Sequence, residues 1–272
     1  MSATAIGTTE RATASYPPQT FGRVLHGEWI KFWSVRSTRW SLVALVVLGV
    51  GLTAMICASS ADWLASGDAD ESPGSFVTWG MMLAQVTGVV LGAMVVTSEY
   101  GTGMIRSTLA AVPRRGRVLA AKAVVLTGVL LVAGTVTAFA GYLAGNFFLD
   151  RAGVGVPLDG DGVVRALFGN GLYLATLGLL TAAVGLLVRH TAAALSIVLG
   201  TVFVVGTMAN LLPGTWGEWV SKLLPGNAGM TIATPVSFNP EALGPWTGFG
   251  VLVLETVVVL AAGWWALVRR DA

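Results

Sequence analysis

Six apolar runs govern what this chain can become: approximately Trp40 to Ala61, Phe76 to Ser98, Ala123 to Leu149, Ala166 to Val188, Thr191 to Leu212 and Trp246 to Val268. Each meets the roughly 20 residues that a helix needs to cross a hydrocarbon core about 30 Å thick. Only 11% of the 272 residues are charged and 54% are hydrophobic, against the roughly 25% charged that is usual in a soluble domain. The expected fold class is therefore an all-α membrane protein with six transmembrane helices. The fourth and fifth runs are separated only by Arg189 and His190, which predicts a tight helical hairpin.

Orientation follows from the basic residues. With a cytosolic amino terminus, the inner segments carry Arg11, Arg23, Lys31, Arg36, Arg39, Arg106, Arg114, Arg115, Arg117, Lys122, Arg189, Arg269 and Arg270. The outer loops then hold only Arg151, Arg165 and Lys222, a strong positive-inside bias. The first outer loop agrees, with Asp62, Asp68, Asp70 and Glu71 and no Lys or Arg. Both termini are expected in the cytosol. Residues 1–20, rich in Ser, Thr, Ala and Pro, have no apolar core and are expected to be a disordered tail; the first apolar run starts too late for a signal peptide. Residues 21–272 read as one six-span domain.

Two inner segments hold more than topology requires. Across residues 21–39, Phe21, Leu25, Trp29, Phe32 and Trp33 recur at three- and four-residue steps, while Arg23, Lys31 and Arg36 fall mostly elsewhere. The pattern is that of an interfacial amphipathic helix, with Trp among headgroups and Arg toward anionic lipid. Glu28 and Lys31 stand at a spacing that lets them pair. A simple membrane anchor is the plainer alternative.

The second segment, residues 98–122, is a charged loop between two membrane-length runs. Glu99 stands at the membrane edge, where its carboxylate could cap helix amides or pair with a basic residue of the interfacial helix. Glycines flank Thr102, which can cap a following helix. Met104, Ile105 and Leu109 make an apolar face suited to a groove, and Arg106, Arg114, Arg115 and Arg117 would flank it, with Lys122 closing the segment. The plainer alternative is a basic inner loop whose arginines only fix topology.

Glu99, the Gly-Thr pair at 101–102, a short amphipathic stretch, Pro113-Arg114 and the downstream Lys122 resemble the coupling segment of type-2 ABC exporter permeases, bacterial membrane subunits driven by a separate ATPase dimer. The run GEWIKFWSVRSTRW, with Glu28, Trp29, Lys31 and Arg36, is similar to the amino-terminal interfacial helix of the same family. The outer segment 213–245, with Trp216, Trp219, Val220, Leu223 and Leu224 at helical spacing between Pro213 and Pro225, resembles the re-entrant or interfacial element before the last span. The resemblance implies a type-2 ABC exporter permease-like fold in the bacterial inner membrane. It also implies two ABC ATPase subunits and a second permease subunit, identical or paralogous, around one cargo pathway. ATPase closure would push on the stretch from Thr102 to Leu109 and tilt the second and third spans.

Polar residues inside the spans are the candidates for that pathway. Glu255 lies well inside the sixth run, where a carboxylate costs about 2.5–3.5 kcal/mol on insertion scales. Gln85, Asn146, Asn170, Tyr173 and Asn210 could line a path or bond between helices, the commoner role. Gly88 with Gly92, and Gly141 with Gly145, form GxxxG pairs read first as packing within the chain and second as a subunit interface.

Catalytic signatures are missing from the sequence. It contains no GxxxxGK[ST] phosphate loop, so ATP hydrolysis is expected of a partner chain rather than this one. Gly101 and Gly103 begin a false dinucleotide motif with no strand before it. His26 and His190 are isolated and Cys57 is the only cysteine, so no metal and no cofactor are expected. Basic residues gather at membrane edges, which argues against nucleic acid as a partner. A non-transporting membrane scaffold or sensor partner is the alternative to transport.

Overall fold

The computed structural model describes residues 20–66, 69, 71–104, 107, 115–209, 211, 214–237, 239 and 241–269. Several expectations lie outside these residues: the tail 1–19, Asp68, Asp70, Ile105, Arg106, Leu109, Pro113, Arg114, Asn210, Pro213 and Arg270. Among the described residues the chain is helical, with no strand. Six helices are long and apolar enough to cross a membrane: Arg36–Ala65 (α2), Met81–Gly101 (α3), Arg115–Arg151 (α4), Val163–Val188 (α5), Thr191–Ala209 (α6) and Pro245–Arg269 (α9). Shorter helices are Phe21–Ser34 (α1), Gly214–Leu223 (α7) and Pro225–Met230 (α8). The six apolar helices point to a multi-pass membrane protein.

The boundaries depart from the apolar pattern where local chemistry intervenes. The interfacial helix ends at Ser34 rather than reaching residue 39, because Val35 is extended, with φ −82° and ψ 123°, and the chain turns there into α2. Arg36 is therefore the first residue of a span. The second span starts at Met81, five residues later than the apolar run suggests. Pro73–Ser75 forms a 3-10 turn, and Phe76 packs edge-on against both Trp63 and Trp79, so the first aromatic residues of that run build a cap over the helix ends. The hairpin between α5 and α6 is as tight as expected. Arg189 takes a left-handed conformation at φ 56°, and the His190 imidazole accepts from the Ala193 amide to cap α6.

α5 is the central post, with 72% of its most apolar window buried against α3, α4, α6 and α9. One core, around Leu91, Leu126, Leu130 and Leu174, joins α2, α3, α4 and α5. A second, around Leu177, Val198, Ile232 and Leu252, joins α5 to α6 and α9. Small residues set the spacing of this bundle. A methyl group on Gly92 would run into the backbone carbonyl of Gly178, so α3 and α5 cross in backbone contact. Gly88 meets Leu174, while Gly141 and Gly145 meet Thr53 and Cys57. Both GxxxG pairs thus serve packing within the chain.

The two ends of the bundle are fastened differently. At the end that holds α1, the Arg115 guanidinium donates to the Leu267 carbonyl at 2.6 Å, joining the start of α4 to the close of α9. Arg189 lies 5.1 Å above the Tyr100 ring, and the Thr97 and Thr191 hydroxyls bond at 2.7 Å. At the opposite end, Tyr142 donates to the Val156 carbonyl at 2.7 Å, and the Asn146 side-chain oxygen accepts from the Val156 amide at 2.7 Å. Arg165, at the start of α5, donates to the carbonyls of Thr231 and Ile232 at 3.1 Å and of Thr234 and Pro235 at 3.0 Å. That guanidinium satisfies backbone carbonyls of the non-helical chain that follows α8. Nothing in the apolar pattern marks Arg165 for this task.

In the 213–245 segment the expected amphipathic helix is present as α7, followed directly by α8. Gly217 and Ser221 form its buried side, and Trp216 and Trp219 point outward, 83% and 60% exposed. This arrangement suits rings that meet headgroups.

Candidate functional site

The buried stripe of α1 is Val24, Glu28 and Phe32, one residue per turn. It packs mainly on α4. A carboxylate at the centre of a buried stripe is costly unless it is paired and hydrogen-bonded. Here it is paired twice. Glu28 Oε1 accepts from Lys31 Nζ at 2.7 Å, and Oε2 accepts from Lys122 Nζ at 2.8 Å. Lys122 and Lys31 also both donate to Glu99 Oε1, at 2.9 and 3.2 Å. Two carboxylates and two ammoniums therefore close a four-membered ionic ring that draws on three helices: α1, the last turn of α3 and the second turn of α4.

Burial decides how strongly the ring binds. Glu28, Glu99 and Lys122 are 5%, 3% and 8% exposed, so solvent screens their attraction far less than it screens a surface pair. Lys31 reaches water with about a third of its side chain. Desolvation raises the Glu28 carboxyl, but the ammoniums of Lys122 and Lys31 outweigh it and hold the group below its ordinary value of 4.5. Desolvation lowers Lys31, and Glu28 and Glu99 more than reverse that, lifting it above 10.5. Both groups are charged at neutral pH. The contribution of Glu28 is complete above its ordinary carboxyl value and is lost as pH falls through the lowered one; that of Lys31 is complete below 10.5 and is lost as pH rises through the raised value. The stability difference between the parent and Glu28→Gln should therefore stay constant from about pH 5 to pH 10 and shrink toward zero in stronger acid. Thermal unfolding in detergent across that range measures it, and a difference that declines steadily between pH 6 and 9 would contradict the ionic ring.

The Glu99 Oε2 atom is buried and has no hydrogen-bond partner among the described residues. A small cavity of about 90 Å³ borders the ring and is lined by Glu28, Lys31, Phe32, Glu99, Met104 and Lys122. It is polar enough on one side for water to reach that oxygen.

Residues 98–122 are not all loop, because helix α3 runs to Gly101 and α4 begins at Arg115. Among the described residues Thr102 is engaged with the helix before it. Its amide and hydroxyl both donate to the Ser98 carbonyl, closing the end of α3. Gly103 follows with φ +70°, the left-handed position that favours glycine after a helix. Met104 is 42% exposed and shares the cavity beside the ring, and Ser107 donates to the Met104 carbonyl at 2.9 Å. Arg115 turns inward onto Leu267, as described above. Ile105, Arg106, Leu109 and Arg114 lie outside the described residues. Of the remaining interfacial residues, Trp29 is exposed and stacks edge-on with Trp33, their centroids 5.6 Å apart, and Arg36 is exposed at the start of α2.

Gln85, Asn170 and Tyr173 are buried and bond their polar groups within the protein. Tyr173 donates to the Gln85 side-chain oxygen, linking α5 to α3, and the Asn170 amide donates to the Ala166 and Ala233 carbonyls at 2.8 Å. Glu255 stands apart from them on α9, beside a different cavity.

Glu28 with Lys31 was readable from spacing alone, and for Glu99 the interfacial-helix partner is the alternative realised. The role of Lys122 was not anticipated. Its signal is present nonetheless: it is the only charge between Ala120 and Phe148, and a cation inside an apolar helix needs an anion. Among the described residues no group of three or more His, Cys, Asp or Glu side chains could hold a metal ion. No protein-family model and no curated protein matches the chain.

Proposed function

We propose that this chain is the membrane-spanning permease subunit of an ATP-binding-cassette exporter. In this reading it sits in a bacterial inner membrane with both termini in the cytosol. It forms a cargo pathway with a second permease, identical or paralogous, and takes its energy from two ABC ATPase subunits. The observation that carries the reading is the ionic ring. Its members Glu99 and Lys122 sit near the two roots of the segment that would meet the ATPase, and both are bound to Glu28 and Lys31 of the interfacial helix.

The ring supplies a mechanical link between the loop and the spans. ATPase closure pushes on the segment from Thr102 to Leu109. The load enters α3 through the turn closed by Thr102, and enters α4 at its first turns. Because Lys122 bonds Glu28 and Glu99 together, α1, α3 and α4 move as one piece at this end. Helix α4, at 37 residues and 1.5 Å per residue about 55 Å long, carries the displacement to the far side of the bundle. Packed interfaces shift between discrete arrangements rather than yielding gradually, so a small push here changes access at the opposite end.

Ser107 offers a direct test, since it is exposed and lies within the segment. On a Cys57→Ala background, Ser107→Cys should react with a membrane-impermeant maleimide only after permeabilisation. In native membranes it should cross-link to a protein bearing a GxxxxGK[ST] phosphate loop. Labelling in intact cells, or no such adduct, overturns the reading.

A further inference from the structure

Beside the second core, α5, α6, α8 and α9 line an open-sided cavity of about 410 Å³, with Ile197, Leu254 and Val258 exposed at its mouth. Its walls include Leu180 of α5, Val198 and Thr201 of α6, Pro225 of α8 and Val258 of α9, and Glu255 is the one ionisable side chain among the lining residues. Glu255 Oε2 is buried and has no hydrogen-bond partner among the described residues. The α6 wall is irregular. Residues Gly200–Val205 of α6 form a π-helical segment, in which the Gly206 amide bonds to the Thr201 carbonyl five residues back. Such wide turns commonly mark functional sites. The Thr201 hydroxyl donates to the Ile197 carbonyl at 2.7 Å, which leaves its oxygen lone pairs as acceptors.

From these features the geometry points to a binding site for a lipophilic ammonium ion, a protonated alkylamine whose N–H group meets Glu255 and whose aliphatic body fills the cavity. Each element of the site selects for one part of such a ligand. A carboxylate inside a span is expensive without a cation, and none of the lining side chains provides one. The volume lies in the range of small-molecule pockets, and the lining is aliphatic apart from the Glu255 carboxylate and the Thr201 hydroxyl. A bare metal ion does not fit, because a hard cation seeks six or more oxygens where this wall offers a carboxylate and a hydroxyl. A proton relay does not fit either, since the lining has no chain of polar groups. Quaternary ammonium ions are usually held by aromatic faces, and no aromatic ring lines this cavity among the described residues. A ligand that donates a hydrogen bond is therefore preferred over a quaternary one.

This inference goes beyond the transport reading and does not depend on it, because binding is measured on the chain alone, without an ATPase. Protein in neutral phosphatidylcholine nanodiscs would be titrated with tritiated N,N-dimethyldecylamine, with empty nanodiscs as the partition baseline. Saturable binding of one molecule per chain is expected. It should weaken at least tenfold in Glu255→Gln and persist in Glu255→Asp, while decanol of equal chain length should compete at least tenfold less well. Val258→Phe fills the cavity and keeps the carboxylate, so it too should abolish binding, independently of how Glu255→Gln folds. Binding that never rises above the empty-nanodisc baseline, or that is equal in Glu255→Gln and the parent, overturns the assignment. Either result leaves the Ser107 cross-linking outcome untouched, so the two readings fail separately.

Discussion

Replacing Lys122 by Met should be the most damaging single change at the basic end of this protein. It removes the ammonium that bonds both Glu28 and Glu99 and leaves two buried carboxylates with Lys31 alone, which is only partly buried. Breaking a buried pair by deleting one partner costs roughly 3–5 kcal/mol, because the surviving charge stays desolvated. Partial compensation by Lys31 places the expectation toward the lower part of that range. The unfolding midpoint in detergent and the amount of protein in the membrane should both fall. The double variant Lys122→Met with Glu99→Gln should recover much of the loss, since it returns the ring to one anion and one cation. A single variant within about 1 kcal/mol of the parent would mean that the ring is no stronger than a surface pair.

A second change should abolish partnership while sparing the fold. Ile105 and Leu109 are two of the three residues, with Met104, that the sequence pattern assigns to an apolar face between α3 and α4, and replacing both by Asp puts two carboxylates where an ATPase groove would exclude water. Charges buried without partners at the centre of an interface cost several kcal/mol, about enough to dissociate a typical complex. The spans lie outside this segment, so insertion and abundance should match the parent. Co-purification of the ATPase and stimulation of its ATP hydrolysis would be measured on the same samples. Loss of both at normal abundance is expected; unchanged association would return the segment to a plain topological loop.

Local features of this molecule could be read from the sequence, and features that depend on distant partners could not. The six spans were legible because apolar length alone decides them, and so was the α5–α6 hairpin, since two residues leave no room for any other connection. Spacing on one helix revealed Glu28 with Lys31. The break at Val35 was hidden, because it sits between two helix-compatible runs with no Gly or Pro beside it to mark a turn. The late start of α3 depends on Phe76 finding Trp63, thirteen residues earlier in the chain. The part of Lys122 in the ring required knowing that α1 and α3 both meet the second turn of α4. Arg165 was the least legible, since its acceptors lie 66 to 70 residues away and are backbone carbonyls that carry no side-chain signature.

Those carbonyls belong to the chain that follows α8, and α8 contributes Pro225 to the Glu255 cavity. Arg165 thereby ties the chain beside that cavity to α5, the most deeply buried of its walls. On its other side α8 is pressed against α9, where a methyl group on Gly248 would run into the Ala228 carbonyl. The exposed side chains of Ile197, Leu254 and Val258 stand at the mouth, so the opening lies along the flank of the bundle, a window in its side rather than a shaft down its axis.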